Sequence, residues 1–163
     1  KVALAEAERR VQAIATVHAA LSQNVDESVD FDEVARTIVR MAGAIASTDH
    51  AVEVITTGSF GTIQADQAQA LATVLNELVA NSVEHGLADR DGLIEVRAER
   101  EGTSMTVTVA DDGVGFVPGT PMSGLGTQIV HQMVRGELRG SIEWAPREGG
   151  GTLVTLHANL DPA

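Results

Sequence analysis

Apolar positions recur in alternating steps of three and four along the start of the chain. Leu4, Ala7, Val11, Ile14, Leu21 and Val25 share one line with His18, which predicts a helix over 2–23 carrying the seam of a coiled coil or bundle. Asn24 to Asp30 is a polar break rich in helix-capping residues. A second stripe, Val34, Ile38, Met41 and Ile45, predicts a helix over about 31–47. Strict alternation over 51–56 predicts a strand, and Gly58 and Gly61 interrupt it before Thr62-Ile63. Leu71, Val74, Leu75, Leu78 and Val79 cover a broad side of a helix over 67–86, with Asp66 as its expected N-cap and Gly86 as its stop.

The pattern then changes period. Ile94, Val96 and Ala98 alternate with charged residues, and Met105, Val107 and Val109 alternate with threonines across a Glu101-Gly102 turn. This is a hairpin with one wet face. After a glycine- and proline-rich stretch over 111–126, a helix is expected over 125–136. A closing hairpin follows, 141–145 with 152–158. Helices and antiparallel hairpins in this mixed order predict an α+β two-layer sandwich, its sheet covered by helices on one face, with the first helix standing apart.

Composition narrows the chemistry. The 163 residues suffice for one domain with an appendage, and 44% hydrophobic with 21% charged is an ordinary soluble balance. A net charge of −12 argues against nucleic acid or an anionic membrane as the main partner, yet leaves room for a phosphorylated ligand held by backbone N–H groups. There is no cysteine, which removes disulfides, zinc–thiolate sites and thiol catalysis. Lys1 is the only lysine, which excludes a P-loop and a protein-kinase strand lysine. No apolar run reaches the roughly 18 residues of a membrane span. The chain opens at Lys1 without Met and reads as a fragment.

Three clusters carry the remaining chemistry. Glu77, Asn81 and His85 are spaced by four and line up on one helix face, with the apolar residues largely opposite. A carboxylate and an amide one turn apart suit a hard cation with bound phosphates, and equally a solvated helix face. Asp111 continues the phase of Met105, Val107 and Val109, so its carboxylate points with the apolar side chains. A buried carboxylate needs donors. A ligand amine such as that of adenine would serve, and so would local N–H groups in a tight turn. Gly113 and Gly115 allow a ligand close to the backbone. Ser123 to Thr127 places Gly124 and Gly126 before a helix, where free N–H groups and the helix dipole make an anion site.

In this order the motifs resemble those of the GHKL ATPase superfamily, the Bergerat fold of gyrase-type ATPases, Hsp90 and histidine kinases. Asn76 to His85 resembles the Asn-box, Asp111 to Gly115 the first glycine box, Gly124 to Thr127 the second, and Gly149 to Thr152 the last. The Glu-Leu-Val-x-Asn form and the segment Arg9 to Ser22 are similar to sensor histidine kinases of the HWE/HisKA_2 type. The resemblance implies a mixed, mostly antiparallel sheet. It also implies a division at residue 25: 1–25 as the second helix of a dimerisation hairpin, 26–163 as the ATP-binding domain. ATP and Mg²⁺ would be the cofactors. Asn81 would hold Mg²⁺, with Glu77 assisting or acting as base. Asp111 would read the adenine amine and Gly113 and Gly115 would shape the pocket. Gly124, Leu125, Gly126 and Thr127 would cradle phosphate, with His85 and Thr152 contributing to the ATP site.

The implied function is transfer of the γ-phosphoryl of ATP to a histidine upstream of this fragment, then to the receiver domain of a response regulator. The implied protein is a homodimer joined through an N-terminal bundle, with its catalytic part cytoplasmic. Two departures stand out. The stretch 116–123 between the glycine boxes is short for a lid, and His18 lies on the wrong helix to be the phosphoacceptor. Alternatives on the same fold are a serine kinase of the anti-sigma-factor type, an ATP-hydrolysing switch using Glu77, and a non-catalytic scaffold.

Overall fold

A computed structural model describes residues 2–21, 28–46, 49–87, 90–115 and 124–162. The stretch 116–123, most of the polar break and the seam position Val25 lie outside the described residues, as do the side chains of Ala7 and Leu125.

The elements run α1 (Val2–Leu21), β1 (Ser28–Asp30), α2 (Phe31–Ala46), β2 (Val52–Gly58), β3 (Thr62–Gln64), α3 (Ala65–Asn81), a π-helical turn (Ser82–Gly86), β4 (Gly92–Glu101), β5 (Ser104–Asp111), α4 (Leu125–Arg135), β6 (Ser141–Pro146) and β7 (Thr152–Asn159). The main sheet has the order β2-β4-β5-β7-β6. Only β2 and β4 pair in parallel; the hairpins β4–β5 and β6–β7 and the central pair β5–β7 are antiparallel. β1 and β3 form a separate two-stranded ribbon. This is the expected α+β sandwich with a mixed, mostly antiparallel sheet.

Alternation decides which sheet face meets the helices. Ile94, Val96, Ala98, Met105, Val107, Val109, Val154, Leu156 and Ala158 are all buried on one face, while Glu95, Arg97 and Glu99 are exposed on the other. The helical layer rests on the apolar face, with α3 at its centre packed against α1, α2 and α4. Leu71, Leu75 and Leu78 are fully buried there.

Two expectations about the helices need correcting. The first helix does not stand apart from the sandwich. Val17 is buried in the common core and Leu21 packs on it, so the end of α1 joins α2 and α3. Val17 lies about 100° around the helix from His18. The packed face is therefore beside the seam, and the seam residues Leu4, Val11 and Ile14 remain 67%, 67% and 69% exposed. In addition, α3 starts at Ala65 with Gln64 as an N-cap whose side chain makes no capping bond and donates instead to Pro162 O at 2.7 Å. Asp66 sits within the first turn, where its charge still suits the positive end of the helix.

Polar contacts tie α2 to the neighbouring ribbon. Asp32 accepts from the Ser59 hydroxyl at 2.9 Å and from the Phe60 N–H at 2.6 Å. Arg100 donates to the carbonyls of Phe60 and Thr62 at 2.6 and 3.1 Å. Phe31 and Phe60 meet edge to face at 5.2 Å.

Candidate functional site

The site forms where α3 ends. The helix is regular to Asn81 and then widens into the π-helical turn, in which the Leu87 N–H donates to Ser82 O at 2.7 Å. Such single wide turns often mark functional positions. Gly86 was expected as a helix stop, but its φ is not left-handed. It is glycine for want of room. A Cβ there would lie 2.4 Å from Asp111 Oδ2. Gly113 is equally constrained, since its Cβ would lie 1.9 Å from Gly86 O, the carbonyl that accepts the Val114 N–H at 2.7 Å. The two glycines seat the end of β5 directly on the end of α3.

Asp111 occupies this seat, 2% exposed, on the face that its strand phase predicted. Its Oδ1 accepts the N–H of Gly113 at 3.0 Å and of Thr152 at 3.3 Å. The carboxylate is buried as its strand phase predicts, and local N–H groups orient it. Burial pushes its pKa above the usual carboxylate range. The bonds from Gly113 and Thr152 pull it back, Asp112 adds a smaller rise, and the Ser82 hydroxyl a smaller fall. Ser82, Gly86 and Gly151 shape this seat, a role the sequence gives to none of them: Gly86 reads there as a helix stop and Gly151 only as part of the Gly149–Thr152 motif. A Gly151 Cβ would lie 1.9 Å from Asp111 O.

The raised pKa has a consequence for stability. In the pH range between the unfolded value of about 3.9 and the raised native value, the native state binds the proton more tightly. Stability therefore falls as pH rises through that window, and the cost is complete above it. Expected result: in denaturant titrations of the nucleotide-free chain, the stability of the parent minus that of Asp111→Asn declines with rising pH from about 4 and then levels off. A difference that is flat or rises with pH would contradict the burial-driven shift.

The other predicted residues lie along α3 and α4. Glu77 and Asn76 are each 6% exposed, Asn81 is half-buried and His85 exposed. This overturns the expected polar face opposite an apolar one, because α1, α2 and α4 and the sheet surround α3. Glu77, Asn81 and His85 instead run from core to surface. α4 packs along α3, with Glu137 just past its end at Gln67 near the start of α3. The two helices are thus antiparallel. At about 1.5 Å per residue, α4 runs about 15 Å from Arg135 back to Leu125, so its N-terminus points toward the later turns of α3. Gly124 there has φ 116° and no side chain caps the helix; Gly126 is buried and Thr127 is 5% exposed. Thr152 pairs with Asp111 across β5 and β7. Gly115, with φ 73°, lies against Gly151. The structure thus gathers Asp111, Gly113, Gly115 and Thr152 of the predicted residues around the end of α3.

Among the described residues no group of three or more His, Asp or Glu side chains could hold a metal ion. Glu77 and Asn81, one turn apart on α3, carry a carboxylate and an amide oxygen, a pair whose chemistry fits a hard cation that takes its remaining ligands from phosphates and water. No helix among the described residues is long and apolar enough to cross a membrane.

Residues 66–162 match the family described as histidine kinase-, DNA gyrase B- and HSP90-like ATPase. Residues 1–45 match a second family described as histidine kinase. The chain is 40% identical over 159 residues to the sensor histidine kinase PdtaS of Mycobacterium tuberculosis, covering 94% of this chain and 32% of that protein. It is 40% identical over 163 residues to PdtaS of Mycolicibacterium smegmatis, covering 97% and 33%. The chain thus spans about a third of the length of these relatives. A blue-light activated histidine kinase of Erythrobacter litoralis superposes with a TM-score of 0.74 at 24% identity, over 93% of this chain and 48% of that one. The mycobacterial sensor histidine kinase MprB superposes with a TM-score of 0.61 at 22% identity, over 85% and 100%. Both share the fold.

Proposed function

The chain belongs to the histidine kinase-, DNA gyrase B- and HSP90-like ATPases, and from that premise we propose that it is the nucleotide-holding half of a sensor kinase that phosphorylates a histidine. The observation that carries the reading is the seat at the end of α3. There a buried, oriented acid packs on Gly86, and α4, which packs along α3, begins at an uncapped glycine. One end of this arrangement accepts a hydrogen bond from a base; the other offers N–H groups to phosphate.

In this reading Asp111 receives the exocyclic amine of adenine. The N–H groups at Gly124, Leu125 and Gly126, with the Thr127 hydroxyl, hold the phosphates. Asn81, supported by Glu77, presents oxygen to Mg²⁺, which supplies charge neutralisation at the phosphates when bound. Thr152 fixes Asp111, and His85 stands where it can donate to the nucleotide at the exposed edge. The protein's part is positioning and electrostatics. The γ-phosphoryl passes to a ring nitrogen of a histidine on a segment preceding α1 in the whole protein, and ADP remains as the product. The phosphoryl then moves to an aspartate of a receiver domain. The exposed seam of Leu4, Val11 and Ile14 joins a second copy in a helical bundle, so the bundle portion ends near residue 25 and the catalytic portion starts near 26. The whole assembly works in the cytoplasm.

The test is Asn81→Ala. Calorimetric titration is expected to show Mg-ATP affinity falling by at least about tenfold, the equivalent of one lost charge-assisted contact, with an unchanged unfolding midpoint. Unaltered affinity would reject the metal role. In the longer protein, acid-labile label from γ-labelled ATP should appear on histidine. Steady ATP hydrolysis abolished by Glu77→Gln, without such label, would favour the hydrolysing switch, for which the burial of Glu77 beside Asn81 is the supporting observation.

A further inference from the structure

We infer that Gln67 is a positioning residue for the phosphate end of the site, acting from the far end of both helices; this rests on the assignment of the α4 N-terminus to the phosphates. Gln67 lies in the first turn of α3 yet is 2% exposed. All of its side-chain amide is engaged with backbone from three segments. Its Nε2 donates to Glu137 O at 2.9 Å and to Asn159 O at 3.4 Å. Its Oε1 accepts the Asp161 N–H at 2.7 Å. The start of α3, the end of α4 and the end of β7 are thus joined at one point. A buried amide with every donor and acceptor used specifies a single arrangement, because any shift leaves a polar group unpaired.

The joint has leverage. α4 is an 11-residue helix, so its N-terminus is about 15 Å from its last residue. A tilt of about 4° at the foot moves that tip by about 1 Å. The start of α4 has no side-chain cap to hold it. The foot, by contrast, is anchored by further bonds, from the Asn159 N–H to Leu138 O at 2.9 Å and from Asn159 Nδ2 to Arg139 O at 2.7 Å. Packing of Gly126, Thr127 and Val130 holds the first turns of α4, and the direction in which the helix axis points is fixed at the remote end. The Asp111 seat is built from Gly86, Gly113 and Thr152 and does not depend on this joint. Gln67 separates the two halves of nucleotide recognition.

The experiment compares Gln67→Met, which keeps length and loses the hydrogen bonds, with Gln67→Glu, which keeps the acceptor for Asp161 and loses the donors to Glu137 and Asn159. Titrations with Mg-ATP and with adenosine are expected to show ATP affinity falling about tenfold while adenosine affinity stays within about twofold. Equal losses for both ligands, or no loss for either, would overturn the inference. A second readout needs no nucleotide. The amide resonances of Gly126 and Thr127 should shift in either variant while those of Gly86 and Gly113 stay in place. Stationary Gly126 and Thr127 resonances would also overturn it. Should Gln67→Met not fold, Gln67→Glu alone decides by the same criteria. Should the parent chain bind neither ligand, the functional reading fails, and the resonance shifts still decide whether Gln67 sets the tip of α4.

Discussion

Asp111→Asn is expected to weaken ATP binding by about 10- to 100-fold and to erase the preference for ATP over GTP, while the nucleotide-free chain unfolds no more easily than its parent. The magnitude is that of one hydrogen bond to a charged group, roughly 1.5–3 kcal/mol. The direction follows from how the carboxylate is held. Oδ1 already takes the N–H groups of Gly113 and Thr152. An asparagine will turn its oxygen to those same donors, which leaves its NH₂ on the Oδ2 side. There, in the proposed binding mode, it would face the adenine amine, donor against donor. Stability is not expected to suffer, because burial of the charge raises the pKa of Asp111, and the neutral amide removes that cost. Parallel titrations with ATP and GTP, with unfolding curves, decide the matter. Retained discrimination would mean that another group reads the base.

Gly86→Ala should reproduce much of that loss without touching the acid. The new methyl group would sit 2.4 Å from Asp111 Oδ2 and 2.7 Å from its Cγ, well inside contact distance. The carboxylate cannot simply rotate away, since Gly113 and Thr152 hold its other oxygen. Overpacking of this kind costs about 1–3 kcal/mol in stability, and the displaced carboxylate should lower ATP affinity by about tenfold or more. The combination separates this from general damage. If Gly86→Ala acts through Asp111, the double variant Gly86→Ala with Asp111→Asn binds ATP no more weakly than the worse single variant. Additive losses would show that Gly86 matters to the nucleotide in some other way.

Local rules made part of this legible. The inward direction of Asp111 follows from strand alternation, because the side-chain period of two carries over unbroken from Met105. The hairpins and most of the helices follow from hydrophobic period, since that period is what buries one face. The misreadings share a different cause. The polar stripe on α3 suggested a wet face, yet Glu77 is buried, because α1, α2 and α4 close around the helix. Asp66 had the chemistry of a cap, but the helix starts two residues earlier than expected because β3 runs directly into it at Gln64. Gly86 does end the helical run as expected, but the reason it is glycine, Asp111 pressed on its Cα, lies on a strand that no local pattern connects to it. Gln67 gave no signal at all: a glutamine in a first helical turn is ordinarily solvated.

From the residues alone came the α+β class, the family to which the motifs belong, and the identity of the acid, the amide and the glycines. Each of these rests on spacing within a few turns or strand steps, where backbone geometry is fixed by short-range sterics and hydrogen bonds. The folded molecule alone decided that the acid rests against the helix end, that α4 packs along α3 with its end at the start of α3, and that one buried amide ties those ends together. Those facts depend on close packing between segments distant in the chain, and packing is a property of surfaces in contact, which no stretch of residues possesses until the others are in place.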